Sequence, residues 1–374
     1  MFGIRVALAI AAACALAGST PHLSWMSTGG QPAAVRPALL LTVPLQATLP
    51  ATARSYAVQL RRLSASGTSR ALYRPFTVLA GANIAISHDA RLLAYSDAGS
   101  EVHLVALSQG RDRLLGRGIQ PAFSSDGRHV AFLSGQLVPV PGGPGPQADR
   151  INVYDTRTLA HRTIVATIGQ LITAFAWAPH DERLAWQISD ATGHVLFALG
   201  AADRPGLGRV VRRTQSTTDG GLAWTADGRA LLYWHFVGLR TTHKRALPYF
   251  ALQRWALPAG PVTTFLAATP TQWGEGLPPA AVIDAHGTRV ASLLGGPVEG
   301  LDQITVFACP YAQPQYIALP GEPRSLAFDP AGDPALVVWQ APRGAAVTSR
   351  AALINTRGPR TQDLGPAVAA FWVH

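Results

Sequence analysis

Eleven histidines and 21 acidic residues give this chain ample material for acid–base or metal chemistry, but their spacing argues against both. No His-x-x-x-His pair and no pair of cysteines stands at ligand spacing, so no metal site is expected. A serine nucleophile would need a Gly-x-Ser-x-Gly elbow on an α/β domain, and the sequence has no such elbow. No phosphate-cradling glycine loop precedes a Lys-Ser or Lys-Thr, and Lys244 is the only lysine. His88, His180 and His286 stand beside turns, as do Asp126, Asp181 and Asp227, where a polar side chain serves by bonding backbone or facing water. Neither a catalytic residue nor a cofactor follows from these patterns.

Binding chemistry is concentrated in one stretch. Arg240, His243, Lys244 and Arg245 fall within the segment from His235 to Pro248, and Trp273 lies downstream. Such a group suits a protein or cell-envelope ligand, including an acidic one. The formal net charge of +10 adds less, because the arginines are spread along the chain. No nucleic-acid module is recognisable, so nucleic acid is not an expected partner.

The elements that must position these residues are repeats. An apolar strand, a turn centred on Asp-Gly or its equivalent, a basic residue and a second apolar strand recur six times, with turn positions at 89, 126, 181, 227, 286 and 331. Pro121-Ala122-Phe123-Ser124-Ser125-Asp126-Gly127-Arg128-His129-Val130-Ala131-Phe132 is a clear instance. Glycine supplies the positive φ that a tight hairpin demands. Stretches such as Glu101 to Leu107, Ile151 to Asp155 and Tyr249 to Trp255 follow as third strands, and Arg162 to Val165 as a polar fourth. Repeats of this length are four-stranded blades. The 36 glycines and 29 prolines suit many tight turns. Trp177, Trp186, Trp224, Trp234 and Trp339 then read as core between neighbouring sheets.

The Ser-Asp-Gly-Arg-x-x-Ala-Phe hairpin followed by Ile-x-Val-Tyr-Asp resembles the repeats of TolB-like, WD-repeat-like β-propellers and the propeller domains of prolyl oligopeptidase relatives. The resemblance spans residues 80 to 364 and implies an all-β propeller without the attached hydrolase domain. Propellers of this kind serve as scaffolds, binding modules and gating domains, so the resemblance implies no activity.

The blade count turns on the chain ends. Tyr56 to Leu63 and Arg70 to Tyr73 look like third and fourth strands, and Ala367 to Trp372 like a first strand. Paired, they would close the ring as one composite blade, giving seven; six with irregular ends is the alternative. Leu39 to Val43 reads as an isolated strand.

Residues 1–17 read as a signal peptide, with an apolar run from Val6 to Ala17 too short to span a bilayer well. An uncleaved anchor and lipidation of Cys14 are the alternatives. Residues 18–50 read as a Pro/Ala-rich linker and 51–374 as the propeller. Cys309 is then the lone cysteine of the mature chain and is expected as a buried structural thiol.

The long connections between second and third strands (Gly135 to Arg150, His235 to Pro248, Gly295 to Asp302 and Ala341 to Arg350) should emerge on one face. The expectation is thus an exported, non-catalytic, monomeric scaffold that binds through this face, without a transmembrane span in the mature chain. The alternative is a propeller lyase or hydrolase with its site at the channel mouth.

Overall fold

The computed structural model describes residues 38–46, 49–50, 55–64, 68–79, 83–135, 148–165, 170–190, 194–201, 209–213, 220–242, 245–257, 260–270, 282–283, 289–294, 303–308, 315–329, 335–343, 346–355 and 361–373. Every regular element among them is a strand. The first repeat forms an antiparallel sheet of Ile84–Ile86, Leu92–Ser96, Glu101–Ala106 and Arg111–Arg117. The second, Ile119–Phe123, His129–Ser134, Arg150–Asp155 and His161–Val165, and the third, Leu171–Trp177, Arg183–Ser189, Val195–Ala201 and Arg209–Arg213, repeat that order. The fourth repeat supplies Gly220–Trp224, Ala230–Thr242, Arg245–Ala256 and Val262–Pro270. The fifth supplies Val282–Ile283, Arg289–Leu294, Gln303–Ala308 and Gln315–Ala318. The sixth comprises Glu322–Phe328, Ala335–Arg343, Ala346–Ile354 and Thr361–Pro366, with Leu49–Pro50 added beside Ala346–Ile354. The architecture is an all-β propeller of four-stranded blades.

Burial explains the residue types. Second strands are buried on both faces: Leu93 to Ser96, Val130 to Ser134 and Leu184 to Ile188 are continuous buried runs. A strand sandwiched between neighbouring sheets has no solvent face, so alternation gives way to an unbroken apolar run. The fourth strand of the first repeat, at the solvated edge, exposes Arg111, Leu114 and Arg117.

The first hairpins of the first, second and fourth repeats are closed by side chains, with a turn glycine as well in the second and fourth. Ser124 Oγ donates to Asp126 Oδ1 at 2.7 Å, that carboxylate accepts the Arg128 amide at 3.0 Å, and the His129 amide donates to Ser124 Oγ at 2.9 Å. Ser87 with Asp89, and Thr225 with Asp227, make the same clip. The Gly127 amide donates to the Ser124 carbonyl, a β-turn followed by a residue at φ 71°. Gly228 repeats this at φ 65°, whereas the first repeat forces Ala90 to φ 54°.

One sheet joins the two ends of the chain. Ala369–Val373 pairs with Ala38–Pro44, which pairs with Ser55–Leu63; Ser69–Ala71 and Phe76–Leu79 both pair with Ser55–Leu63. The segment read as an isolated strand, Leu39 to Val43, is therefore a second strand with partners on both sides: Leu40 faces Phe371 and Arg62. Its five successive apolar or β-branched residues are the signature of a doubly covered strand, which an isolated reading cannot use.

The core lies between sheets. Leu40, Val58, Leu60 and Val373 of the end-joining sheet pack with Leu93, Tyr95 and Val105 of the first repeat. Clusters of the same kind link the first repeat to the second, the second to the third and the third to the fourth. Others link the fifth to the sixth, and the sixth back to the end-joining sheet through Leu41, Val338, Ala351 and Ala367. Trp234, Tyr233, Phe132 and Phe197 are among the largest fully buried side chains; burying a Phe side chain contributes roughly 1.5–3 kcal/mol. No helix among the described residues is long and apolar enough to cross a membrane.

Candidate functional site

The first strands face the centre of a propeller and share no hydrogen-bonded ladder with one another. Here they are joined by indoles. Trp177 Nε1 donates to the Ala122 carbonyl at 3.0 Å, Trp224 Nε1 to Ala176 at 2.9 Å and Trp372 Nε1 to Ala327 at 3.4 Å. In each case the tryptophan follows an apolar residue near the end of one first strand and reaches the preceding first strand. Phe123 and Ile86 hold the equivalent positions in the second and first repeats and carry no donor.

A cavity of about 640 Å³ opens at those two unstitched junctions. It is lined by Ile84, Ala85, Ile86, Pro121, Ala122, Phe123, Phe371 and Trp372, with His88, Ser124, Ser125, Pro179 and His180 from the first hairpins. Its volume is within the roughly 300–1,000 Å³ of ordinary ligand pockets. His88, Ser125 and His180 each precede the turn aspartate of successive repeats, so the repeat itself delivers three polar side chains to one place. His88 and His180 are exposed, as the turn reading expects. What that reading missed is their convergence, whose only sequence signal is the shared repeat position.

The hairpins around this mouth are tied to one another. Arg183 donates through Nη2 to the Gly228 carbonyl at 2.8 Å and lies over the Trp224 ring, 5.0 Å from its centroid. The same guanidinium clamps Asp181 through Nε at 3.0 and 2.8 Å. Burial pushes the Asp181 carboxyl up, but the Arg183 side-chain and amide bonds outweigh it and hold it below the usual range.

Of the sequence-predicted binding residues, Arg240 and Arg245 stand at the opposite end of the blade, where the second strand passes to the third. Of the segment His235 to Pro248, expected as a loop, residues 235–242 and 245–248 are instead paired strand: Arg240 faces Leu247 and Thr242 faces Arg245. A bulge between Phe236 and Gly238, with Gly238 at φ 151°, absorbs the register shift. Pairing satisfies backbone groups that a long loop would leave to water. Residues 341–343 and 346–350 are paired in the same way, with Arg343 facing Ala346. Arg240 and Arg245 thus stand on facing strands near the hairpin end. His243, Lys244 and Trp273 lie outside the described residues, as do His286, Cys309 and most of the Gly135 to Arg150 and Gly295 to Asp302 connections. On the shank, Val237 and Leu239 are 56% and 66% exposed.

No family model and no curated protein matches the chain. Solved structures do. Chains alike in fold include the propeller domain of Myceliophteria thermophila Cps50 (Swd1), at 11% identity and TM-score 0.53, covering 83% of this chain and 96% of that one. Kuenenia stuttgartiensis hydrazine synthase matches at 14% identity and TM-score 0.55, covering 88% and 97%. TolB from Acinetobacter baumannii matches at 16% identity and TM-score 0.46, covering 90% of this chain and 66% of TolB. The fold is that of a β-propeller, as in the Cps50 domain. The chain spans about two-thirds of TolB's length, and the neighbours include an enzyme as well as a propeller domain, so shared fold carries no activity across.

Proposed function

We propose that the chain is an exported, non-catalytic, monomeric propeller that holds a protein or cell-envelope ligand, and that the extended hairpin of the fourth repeat is its contact arm. The observation that carries this is the hairpin itself. Its strands, Ala230–Thr242 and Arg245–Ala256, run to 13 and 12 residues where the corresponding strands of the third repeat have 7 each. Exposed Val237 and Leu239 lie along it, and Arg240 and Arg245 stand on its facing strands, with His243 and Lys244 between them in the sequence. An apolar shank with a cationic end suits an acidic partner that also covers apolar surface. The signal-like N-terminus supports extracytoplasmic placement. We count the end-joining sheet as the seventh blade, since it pairs strands from both ends of the chain in the same four-layer order as the others.

The test is site-specific photo-crosslinking in envelope preparations, with the crosslinker at Val237 or Leu239 and at Leu114 as an exposed control on another sheet. Discrete adducts from the hairpin, lost when Arg240, Lys244 and Arg245 are changed to Glu, support the reading. Equal labelling from hairpin and control, or adducts indifferent to the charge reversal, would overturn it.

The cavity supports a second reading, a small ligand held at the channel mouth between Phe123, Phe371 and Trp372 with His88 and His180 alongside. The enzyme alternative would draw on the same side chains. Ligand binding abolished by His88→Ala and His180→Ala together, with the hairpin intact, would favour it.

A further inference from the structure

His103, on the strand Glu101–Ala106, is held between two carboxylates. Its Nδ1 lies 3.0 Å from Asp112 Oδ1, and its ring stacks on Tyr95 with centroids 4.8 Å apart and planes 6° from parallel. Asp112 is fixed in turn: the hydroxyls of Tyr73 and Tyr95 each donate to its Oδ2 at 3.3 Å, and Arg74 Nη2 stands 3.6 Å away. This carboxylate accepts a hydrogen bond from the Nδ1–H and so leaves the Nε2 lone pair facing Asp97. Asp97 is equally constrained. Its Oδ1 accepts the amides of Gly99 at 2.9 Å and Glu101 at 2.8 Å, closing the turn between second and third strands. Its Oδ2 is left facing His103 Nε2 at 3.7 Å.

That separation is too long for a hydrogen bond, and in this tautomer both atoms are acceptors. It is, however, the distance between two ligands bound at about 2.0–2.2 Å to one ion. Glu101 completes the set, because one ligand atom from each of Asp97, Glu101 and His103 lies within 4.8 Å of the others. All three residues are half-buried, so water can reach the remaining positions.

We propose that Asp97, Glu101 and His103 bind a divalent first-row transition cation of the zinc type, with Asp112 positioning the histidine from behind. An ordinary solvated acidic turn has no need of a histidine whose far nitrogen is anchored by a carboxylate that two tyrosine hydroxyls hold in place. A cation-binding histidine does, since that anchoring fixes its tautomer and raises its basicity. The imidazole ligand disfavours magnesium and calcium, which take oxygen alone. Tyr73 comes from the end-joining sheet, so the carboxylate behind the histidine is itself held across a junction between sheets.

The experiment is titration of zinc ion into the metal-free full chain by calorimetry, with melting temperature read alongside and cobalt ion as an absorption probe. One ion per chain, a raised melting temperature and ligand-field bands of low-coordinate cobalt are expected. His103→Gln and Glu101→Gln should each abolish the bands, and Asp112→Asn should weaken zinc by roughly 10- to 100-fold without changing the stoichiometry. Should His103→Gln fail to fold, Glu101→Gln, which lies outside the Asp112 hydrogen bonds, carries the test. Zinc binding unchanged in Glu101→Gln, or a wild-type chain that shows neither heat nor cobalt bands, overturns the proposal.

Discussion

Trp224 Nε1 donates to the carbonyl oxygen of Ala176 at 2.9 Å, joining the innermost strands of two neighbouring sheets. Sheets in this fold meet mainly through apolar side chains, which are non-directional. The indole adds a directional bond at the place where the backbones of adjacent sheets have no ladder between them, and Trp177 and Trp372 repeat it.

Replacing Trp224 by Phe removes that donor and leaves the Ala176 carbonyl without it. The expected cost is about 1–3 kcal/mol, read as a lower denaturant midpoint with unchanged slope. Because Trp224 also packs in the cluster between third and fourth repeats and carries Arg183 over its face, Trp224→Ala should cost more. A variant as stable as wild type would show that the indole bond only accompanies the packing.

The reverse change addresses the cavity. Phe123→Trp places an indole where the first and second repeats lack one, within reach of the Ala85 region that lines the same space. The expected result is a smaller cavity and a gain of roughly 0.5–1.5 kcal/mol from the new bond. A crystal structure of the variant with the indole turned away from the first repeat, and no gain in stability, would count against the stitch as a transferable device.

The two turn positions Gly127 and Ala90 predict opposite responses. A Cβ on Gly127 would meet Ser87 Cβ at 3.5 Å, ordinary contact, so Gly127→Ala should cost only the backbone penalty of its φ of 71°, about 1–2 kcal/mol. Ala90 already bears such strain at φ 54°. Ala90→Gly relieves it and should be neutral or stabilising by up to about 1 kcal/mol once the added chain entropy is subtracted. Thermal melts of the two variants moving in the same direction would contradict this account.

Acid stability should depend on the hairpin clips. The Thr225 hydroxyl bond, opposed by partial burial and helped by the Arg229 amide and the charges of Arg254 and Arg229, holds the Asp227 carboxyl below its usual range. A depressed folded value means the contribution is complete above the unfolded value near 3.9, and is lost as pH falls through the folded one. Thr225→Val should therefore be less stable than wild type at pH 6, and the gap should narrow as pH drops below about 4. A gap that stays constant across that range would place the effect in packing rather than in the carboxylate.

Much of the propeller is legible without coordinates. The turn aspartates, followed by glycine in two of the repeats, and the basic residues after them locate the first two strands of four repeats, because an amide-bonding carboxylate and a positive φ are local demands met by residue type. Ala367 to Trp372 as a first strand and Tyr56 to Leu63 as a third are legible for a related reason, their partners being set by the repeat order. Leu39 to Val43 was not, since the strands that pair with it lie 20 residues ahead and at the far end of the chain. Nor was the strand character of His235 to Pro248, whose polar, glycine-containing sequence looks like a loop until the facing strand is known. At the sites, the sequence shows His88, Ser125 and His180 one at a time, as turn residues.

The sequence alone therefore determined the unit: a hairpin clipped by Ser or Thr, Asp and Gly, repeated with inward aromatic residues. These are interactions within a dozen residues, which local chemistry dictates. Only the tertiary structure decided where units meet. It sets Trp224 against Ala176, gathers His88 and His180 around one cavity, and locks His103 between Asp97 and Asp112 under Tyr73. The contacts of Trp224 with Ala176 and of Tyr73 with Asp112 depend on how successive sheets stack, and residues 39 or more positions apart carry no mark in the chain of being neighbours.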